Sequence, residues 1–212
     1  MAPKLITEFI GTFFLVFIIG LCVTGTPPVA LAPIPIGLGL MVLVYMGGHV
    51  SGAHYNPAVT LAVFLRGKIE ASPAVMYMVT QVVAAVVATL VVRGITGNLL
   101  HVEPGSGTTT TALVIEALFT FLLALVVLNV ATSKNTSGNS YYGAAIGCTV
   151  MAAAFAGGGV SGGAFNPAVG IGPALASVLT GGGFPGHAWI YLVGPFIGGA
   201  AAAMVFRVQK QE

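Results

Sequence analysis

Two asparagines carry the most informative chemistry in this chain. Asn56 sits in SGAHYNPAV (51–59) and Asn166 in SGGAFNPAV (161–169), and six of the nine positions are identical. Asn caps a helix well through its side-chain oxygen. Pro57 and Pro167, followed by Ala58 and Ala168, stand where a first helical residue needs no N–H. With its oxygen used as a cap, each side-chain NH2 is free to donate. The backbone before each Asn offers carbonyl acceptors: Gly52, Ala53, His54 and Tyr55 in one copy, Gly162, Gly163, Ala164 and Phe165 in the other. A helix start also carries about half a positive charge. Such a set can bind a small neutral molecule and repels cations. No nucleophile and base accompany it, so the chain does not read as an enzyme.

The elements that position these groups follow from composition. Hydrophobic residues make up 57% of the chain and charged residues 6%, with a mean hydropathy of +1.00. A soluble domain carries about a quarter charged residues, so this chain cannot cover an ordinary water-facing surface. Apolar stretches recur at 5–24, 34–50, 73–93, 111–131, 142–157 and 187–206. Each is near the ~20 residues of a spanning helix, the second and fifth being somewhat short. The runs do not alternate, so they read as helices rather than barrel strands. The first is not a cleaved leader, because Glu8 lies inside it and no small-residue cleavage site follows. Lys4, Arg66, Lys68, Lys134, Arg207 and Lys210 fall on one side of these spans and Arg93 on the other. The excess of positive charge places both termini in the cytoplasm.

Other chemistry is thin. Cys22 and Cys148 read as free, buried cysteines. His49, His54, His101 and His187 lack ligand spacing, so neither metal nor other cofactor is expected. A net charge of +2 without a basic stripe leaves no role for nucleic acid. Trp189 and Tyr191, at the start of the last span, read as interface anchors. His54, two residues before Asn56, reads as a loop brace or, by the family resemblance given below, as part of the inner mouth.

The repetition extends beyond the two phrases. ITEFIGTFFLVF (6–17) resembles VIEALFTFLLAL (114–125), which aligns Glu8 with Glu116 and Thr12 with Thr120. The chain therefore divides into halves of roughly 1–100 and 105–212, joined by the polar HVEPGSGTTTT (101–111). Each half holds three spans. Three is odd, so the second half enters the membrane from the opposite side and the repeats are inverted. After each Asn-Pro-Ala the apolar run is short, AVTLAVFL up to Arg66 and AVGIGPALASVL up to Thr180. Each makes a half-helix that stops midway. The expected fold is an all-α membrane protein of six transmembrane helices plus two half-helices whose N-termini meet near the midplane. Irregular backbone at that depth is tolerated only within protein or beside a water-filled cavity. The phrase occurs twice because each half contributes one side of such a cavity. Glu8 and Glu116 are either proton-relay groups or acceptors for loop N–H groups. Their matched placement, one per unwound loop, favours the second.

At these residues the chain resembles the aquaporin and glycerol-facilitator family of major intrinsic proteins. The matching stretches are EFIGTFFLVF, GGHVSGAHYNPAVT, Gln81, the NPA at 166–168 and GPFIGG (194–199), spread over essentially the whole chain. The resemblance implies a single channel domain over 1–212 in the lipid bilayer. It implies a homotetramer with one pore per subunit, and passive flow of water or small neutral solutes such as glycerol, urea or ammonia. It also implies an outer selectivity filter of four residues. Carried over by distance from the two NPA boxes, these are Ile36, Ala154, Gly163 and Val169. Most of the family has Arg where Val169 stands, and many water channels have His where Ala154 stands. The filter here is aliphatic and has no side-chain donor. A channel is therefore expected, against two alternatives: a non-conducting membrane scaffold with a channel fold, and a secondary transporter. Val169→Arg should narrow the filter and slow glycerol more than water in vesicle flux measurements. Equal loss of both fluxes would dismiss the filter assignment.

Overall fold

A computed structural model describes residues 1–25 and 29–209; Lys210, one of the basic residues named above, lies outside them. The described residues form helices α1 (Ala2–Thr24), α2 (Pro33–Ser51), α3 (Pro57–Leu65), α4 (Ala71–Thr96), α5 (Thr109–Thr132), α6 (Tyr142–Ser161), α7 (Pro167–Leu179) and α8 (Ile190–Gln209), with one 3-10 turn at Lys134–Thr136. Six of them, all but α3 and α7, are long and apolar enough to cross a membrane. α3 and α7 have 9 and 13 residues, too few for the ~30 Å hydrocarbon core.

The packing repeats with the sequence. α1 lies against α2 and α4, and α5 lies against α6 and α8. α2 and α6 close the ring across the two halves. Each half-helix also crosses over: α3 packs on α8, and α7 packs on α4. The halves are thus interlocked rather than side by side.

Small residues permit this closeness. Where α2 crosses α6, a Cβ on Gly37 would lie 2.6 Å from Met151 Cβ and 2.7 Å from the Gly147 carbonyl oxygen. Where α3 meets α8, a Cβ on Gly199 would stand 2.5 Å from the Ala58 carbonyl oxygen. Lipid tails are as apolar as leucine, so helices in a membrane associate through such close packing and through polar contacts rather than by escaping water.

The outside is apolar and the inside is not. Along α4, Val75, Val79, Val83, Val87, Val91 and Ile95 are exposed at every fourth position, an outward stripe that winds slowly around the helix. Glu8, Thr12, Thr60, Gln81, Glu116, Thr120 and Ser161 are fully buried. This inverts the pattern of a soluble protein and suits a bilayer.

Two expectations need correction. Tyr191 is no interface anchor: it is completely buried, and its hydroxyl donates to the Ser161 carbonyl at 2.6 Å. Trp189 does remain 44% exposed, but it precedes α8 with His187 in a turn. Cys148 is exposed, while Cys22 is buried, and both are free. The face of α6 that holds Cys148 turns outward, which apolar composition alone could not reveal.

Gly37→Leu should prevent α2 and α6 from docking, because overpacking of this kind costs about 1–3 kcal/mol or more. The check is thermal stability of detergent-solubilised protein, with Met41→Leu as a control of conserved volume.

Candidate functional site

The two repeated phrases meet at the centre. α2 ends at Gly52 (φ 91°) and α6 at Gly162 (φ 89°), and each left-handed residue donates its N–H four residues back, to Gly48 and Gly158. This is the usual stop of a helix at glycine. The chain then takes further left-handed steps at Ala53 (φ 51°), Tyr55 (φ 48°), Gly163 (φ 69°) and Phe165 (φ 49°). For residues other than glycine such a step costs about 1–2 kcal/mol, so something must hold the two loops.

The holders are the buried carboxylates. Glu8 Oε1 accepts from Ser51 Oγ at 2.7 Å and from the His54 N–H at 2.9 Å. Its Oε2 accepts from the Tyr55 N–H at 2.8 Å and from Gln81 Nε2 at 2.8 Å. Glu116 repeats the pattern: Oε1 accepts from Ser161 Oγ at 2.7 Å and the Ala164 N–H at 3.0 Å, and Oε2 from the Phe165 N–H at 2.6 Å. The serines in turn accept the N–H of Ala53 and of Gly163. Tyr77 and Tyr191 donate to the carbonyls of Ser51 and Ser161.

The asparagines then face one another. Asn56 Oδ1 accepts from the Ala58 N–H at 2.8 Å and the Val59 N–H at 3.4 Å, and Asn166 Oδ1 accepts from the Ala168 N–H at 2.9 Å. Asn56 Nδ2 donates to the Phe165 carbonyl and Asn166 Nδ2 to the Tyr55 carbonyl, each at 2.9 Å. The expectation that both NH2 groups are wholly free is therefore corrected. Each spends one N–H tying its phrase to the opposite one, which leaves a second N–H per side chain. Sequence could not show this, because the two bonds join residues more than a hundred positions apart.

A cavity of about 240 Å³ runs past this junction. Asn56, Asn166, Ala53, His54, Tyr55, Gly162, Gly163, Ala164 and Phe165 line it. Ile36, Ala154 and Val169 line it as well, so all four residues assigned to the filter reach one space. Most of the remaining wall is aliphatic, including Leu15, Ile19, Leu123 and Val127. Gly52 lines two cavities on the side of the N-terminus instead, which also hold Lys4, His49, Lys68 and Lys134. Pro57 and Pro167 do not reach the central cavity; they floor an apolar groove with Val79, Val83 and Phe196. Ala58 and Ala168 are fully buried. The Pro-Ala pairs thus shape the helix starts, and the Asn side chains reach the solute space. Among the described residues no group of His, Cys, Asp and Glu could hold a metal.

Tyr77 is a functional neighbour that the sequence did not mark, and Gln81, Thr60 and the two serines stood in matched or repeated stretches without a role assigned to them. Ser51 and Ser161 stood in the repeated phrase, and that repetition was the available signal. Tyr77 and Tyr191 are single letters in long apolar runs and gave none.

The comparisons with known proteins agree with this geometry. The family model described as major intrinsic protein matches residues 1–206. A glycerol uptake facilitator protein-like 6 of Lactiplantibacillus plantarum is 35% identical over 226 aligned residues, covering 99% of each chain. Aquaporin NIP1-1 of Zea mays is 36% identical, over 97% of this chain and 74% of that protein. The X-ray structure of the aquaglyceroporin from Plasmodium falciparum superposes with a TM-score of 0.82 at 23% identity, covering 97% of this chain and 95% of that one; it shares the fold. The chain belongs to the major intrinsic protein family, and it is an integral, multi-pass membrane channel for water and small solutes rather than an enzyme.

Proposed function

We propose that the central cavity is the conduction path of a passive channel for water and for uncharged solutes up to about the size of glycerol. In this reading residues 1–212 form one channel domain of two inverted repeats, both termini lie in the cytoplasm, and four copies assemble with one path each. The observation that carries it is the single cavity bounded by the Asn56–Asn166 pair and by Ile36, Ala154, Gly163 and Val169. The two half-helix starts and the remaining asparagine N–H groups make the centre positive, which opposes cations. The filter ring adds no charge and no donor. Two of its four members are Ala154 and Gly163, which leaves room for more than water. The relatives named for glycerol uptake and as an aquaglyceroporin point the same way.

Glu8 and Glu116 act in this reading as loop braces. Their oxygens are occupied by hydrogen bonds from serines, loop N–H groups and Gln81. A proton relay would need those lone pairs for transfer, so the coupled-transporter alternative loses its only intramembrane acids.

Stopped-flow light scattering of proteoliposomes tests the path. Shrinkage under an impermeant osmolyte and re-swelling in glycerol should both exceed the rates of empty vesicles. Fast water with glycerol at the empty-vesicle rate would make the filter narrower than proposed. Both at that rate would favour a sealed scaffold. The brace has its own test. Glu116→Gln turns an NH2 toward a loop donor and leaves buried groups unpaired, at about 1–3 kcal/mol. Thermal unfolding of the variant in detergent should show the loss, together with reduced water flux.

A further inference from the structure

We propose that His54 presents a bare Nε2 acceptor to the inner part of the path, and that Gln81 and Thr60 are positioning residues that hold it in that tautomer. The inference rests on the central cavity being the path.

The tautomer follows from a chain of donors and acceptors that starts at a carboxylate. Glu8 Oε2 can only accept, so the group of Gln81 at 2.8 Å from it must be the amide nitrogen. The same Nε2 lies 3.1 Å from Thr60 Oγ1 and donates its second hydrogen there. Thr60 has one hydroxyl proton. Three acceptors stand near it: the Asn56 carbonyl at 3.0 Å, His54 Nδ1 at 3.1 Å and Gln81 Oε1 at 3.5 Å; we assign the proton to the Asn56 carbonyl, the nearest of them and the usual i−4 acceptor of a helical Thr. His54 Nδ1 stands 3.1 Å from the same Thr60 oxygen. With the proton on that carbonyl, the Thr60 oxygen accepts from His54, and Nδ1 carries the hydrogen. A neutral imidazole then has no hydrogen on Nε2. The opposite direction, Thr60 donating to Nδ1, would put the hydrogen on Nε2 and is the outcome the test below distinguishes.

Nε2 has no hydrogen-bond partner among the described residues, and the ring lies where the central cavity and an inner cavity adjoin. The Tyr77 ring meets it edge-on at 5.2 Å and fixes its plane. The charged and titratable groups around it are Glu8 on α1, which accepts from the His54 N–H, Tyr77 on α4, and Lys4 and Lys68 across the inner cavity. α3 and α5 contribute Val63, Val127, Ala131 and Thr132 there, none of them ionisable.

The arrangement belongs to one half only. The positions matched in the second half are Ala164 for His54, Gly170 for Thr60 and, counting from the paired Tyr77 and Tyr191, Pro195 for Gln81. All three polar side chains are absent there. Asn56 and Asn166 are donors at the centre, so a solute oxygen held by them turns its hydrogens toward the mouths. On the inner side an acceptor is what those hydrogens need. The class of solute served is neutral and carries N–H or O–H groups, such as water, urea or a polyol.

The test uses full-length protein in lipid vesicles. With only 4 His in the chain, nitrogen-15 histidine NMR in bilayers reads the tautomer directly. The wild type should show one Nδ1–H histidine, missing in His54→Phe and converted toward the Nε2–H form in Thr60→Val. Thr60→Ser should retain it. Urea flux through the wild type should fall roughly five-fold, the worth of one ordinary hydrogen bond, over the pH interval in which the His54 nitrogen-15 signals change to the doubly protonated form, and His54→Phe should remove that step. An Nε2–H signal for His54 in the wild type, or a urea flux that stays flat while His54 becomes doubly protonated, overturns the proposal. Wild-type flux no faster than empty vesicles overturns the path itself, and the proposal with it.

Discussion

Peptide groups at the middle of a bilayer have no water to bond to, and each one left unpaired costs several kcal/mol. Two loops of this chain lie at that depth and run in strained, left-handed backbone, so the fold depends on acceptors for their N–H groups. Glu8 and Glu116 supply them. One carboxylate offers two oxygens and about four lone-pair directions, enough to take a serine hydroxyl and two consecutive loop N–H groups at once. A neutral amide offers one oxygen and would set its NH2 against a donor. The buried acid is thus a structural requirement of an interrupted helix in lipid.

Once each loop is held, the other features follow. Holding His54, Tyr55, Ala164 and Phe165 by their N–H groups leaves carbonyls for other partners. The carbonyls of Tyr55 and Phe165 take an asparagine from the opposite half. These reciprocal bonds seat the two helix starts nose to nose. The resulting positive end-charges face a cavity whose remaining wall is mostly aliphatic, while the two carboxylates sit behind the loops, on their N–H groups. In the proposed reading, exclusion of cations and passage of neutral molecules arise from the same geometry.

Seating two half-helices inside a ring of six demands small residues at the crossings. Gly199 lets the backbone of α8 touch that of α3 at Ala58, and Gly37 with Gly147 does the same for α2 and α6. The carboxylate braces work only if these backbones come that close. Packing and hydrogen bonding are therefore not independent contributions here.

Much of this was legible in the chain itself, because its signals are local or repeated. Six long apolar runs, two short ones after Asn-Pro, and one acid in each first span follow from composition, helix capping and the cost of charge in lipid. A duplicated phrase after an odd number of spans requires inversion, whatever the packing. The residues that line the cavity with the asparagines, Ile36, Ala154, Gly163 and Val169, came from resemblance, since nothing local marks them. Tertiary structure alone decided what joins distant positions: each asparagine N–H on the opposite loop, Gln81 and Thr60 around His54, Tyr191 turned inward, Cys148 turned outward. Side chains in a uniformly apolar helix show no periodic contrast between core and lipid, so which face points in is settled only when the helices meet.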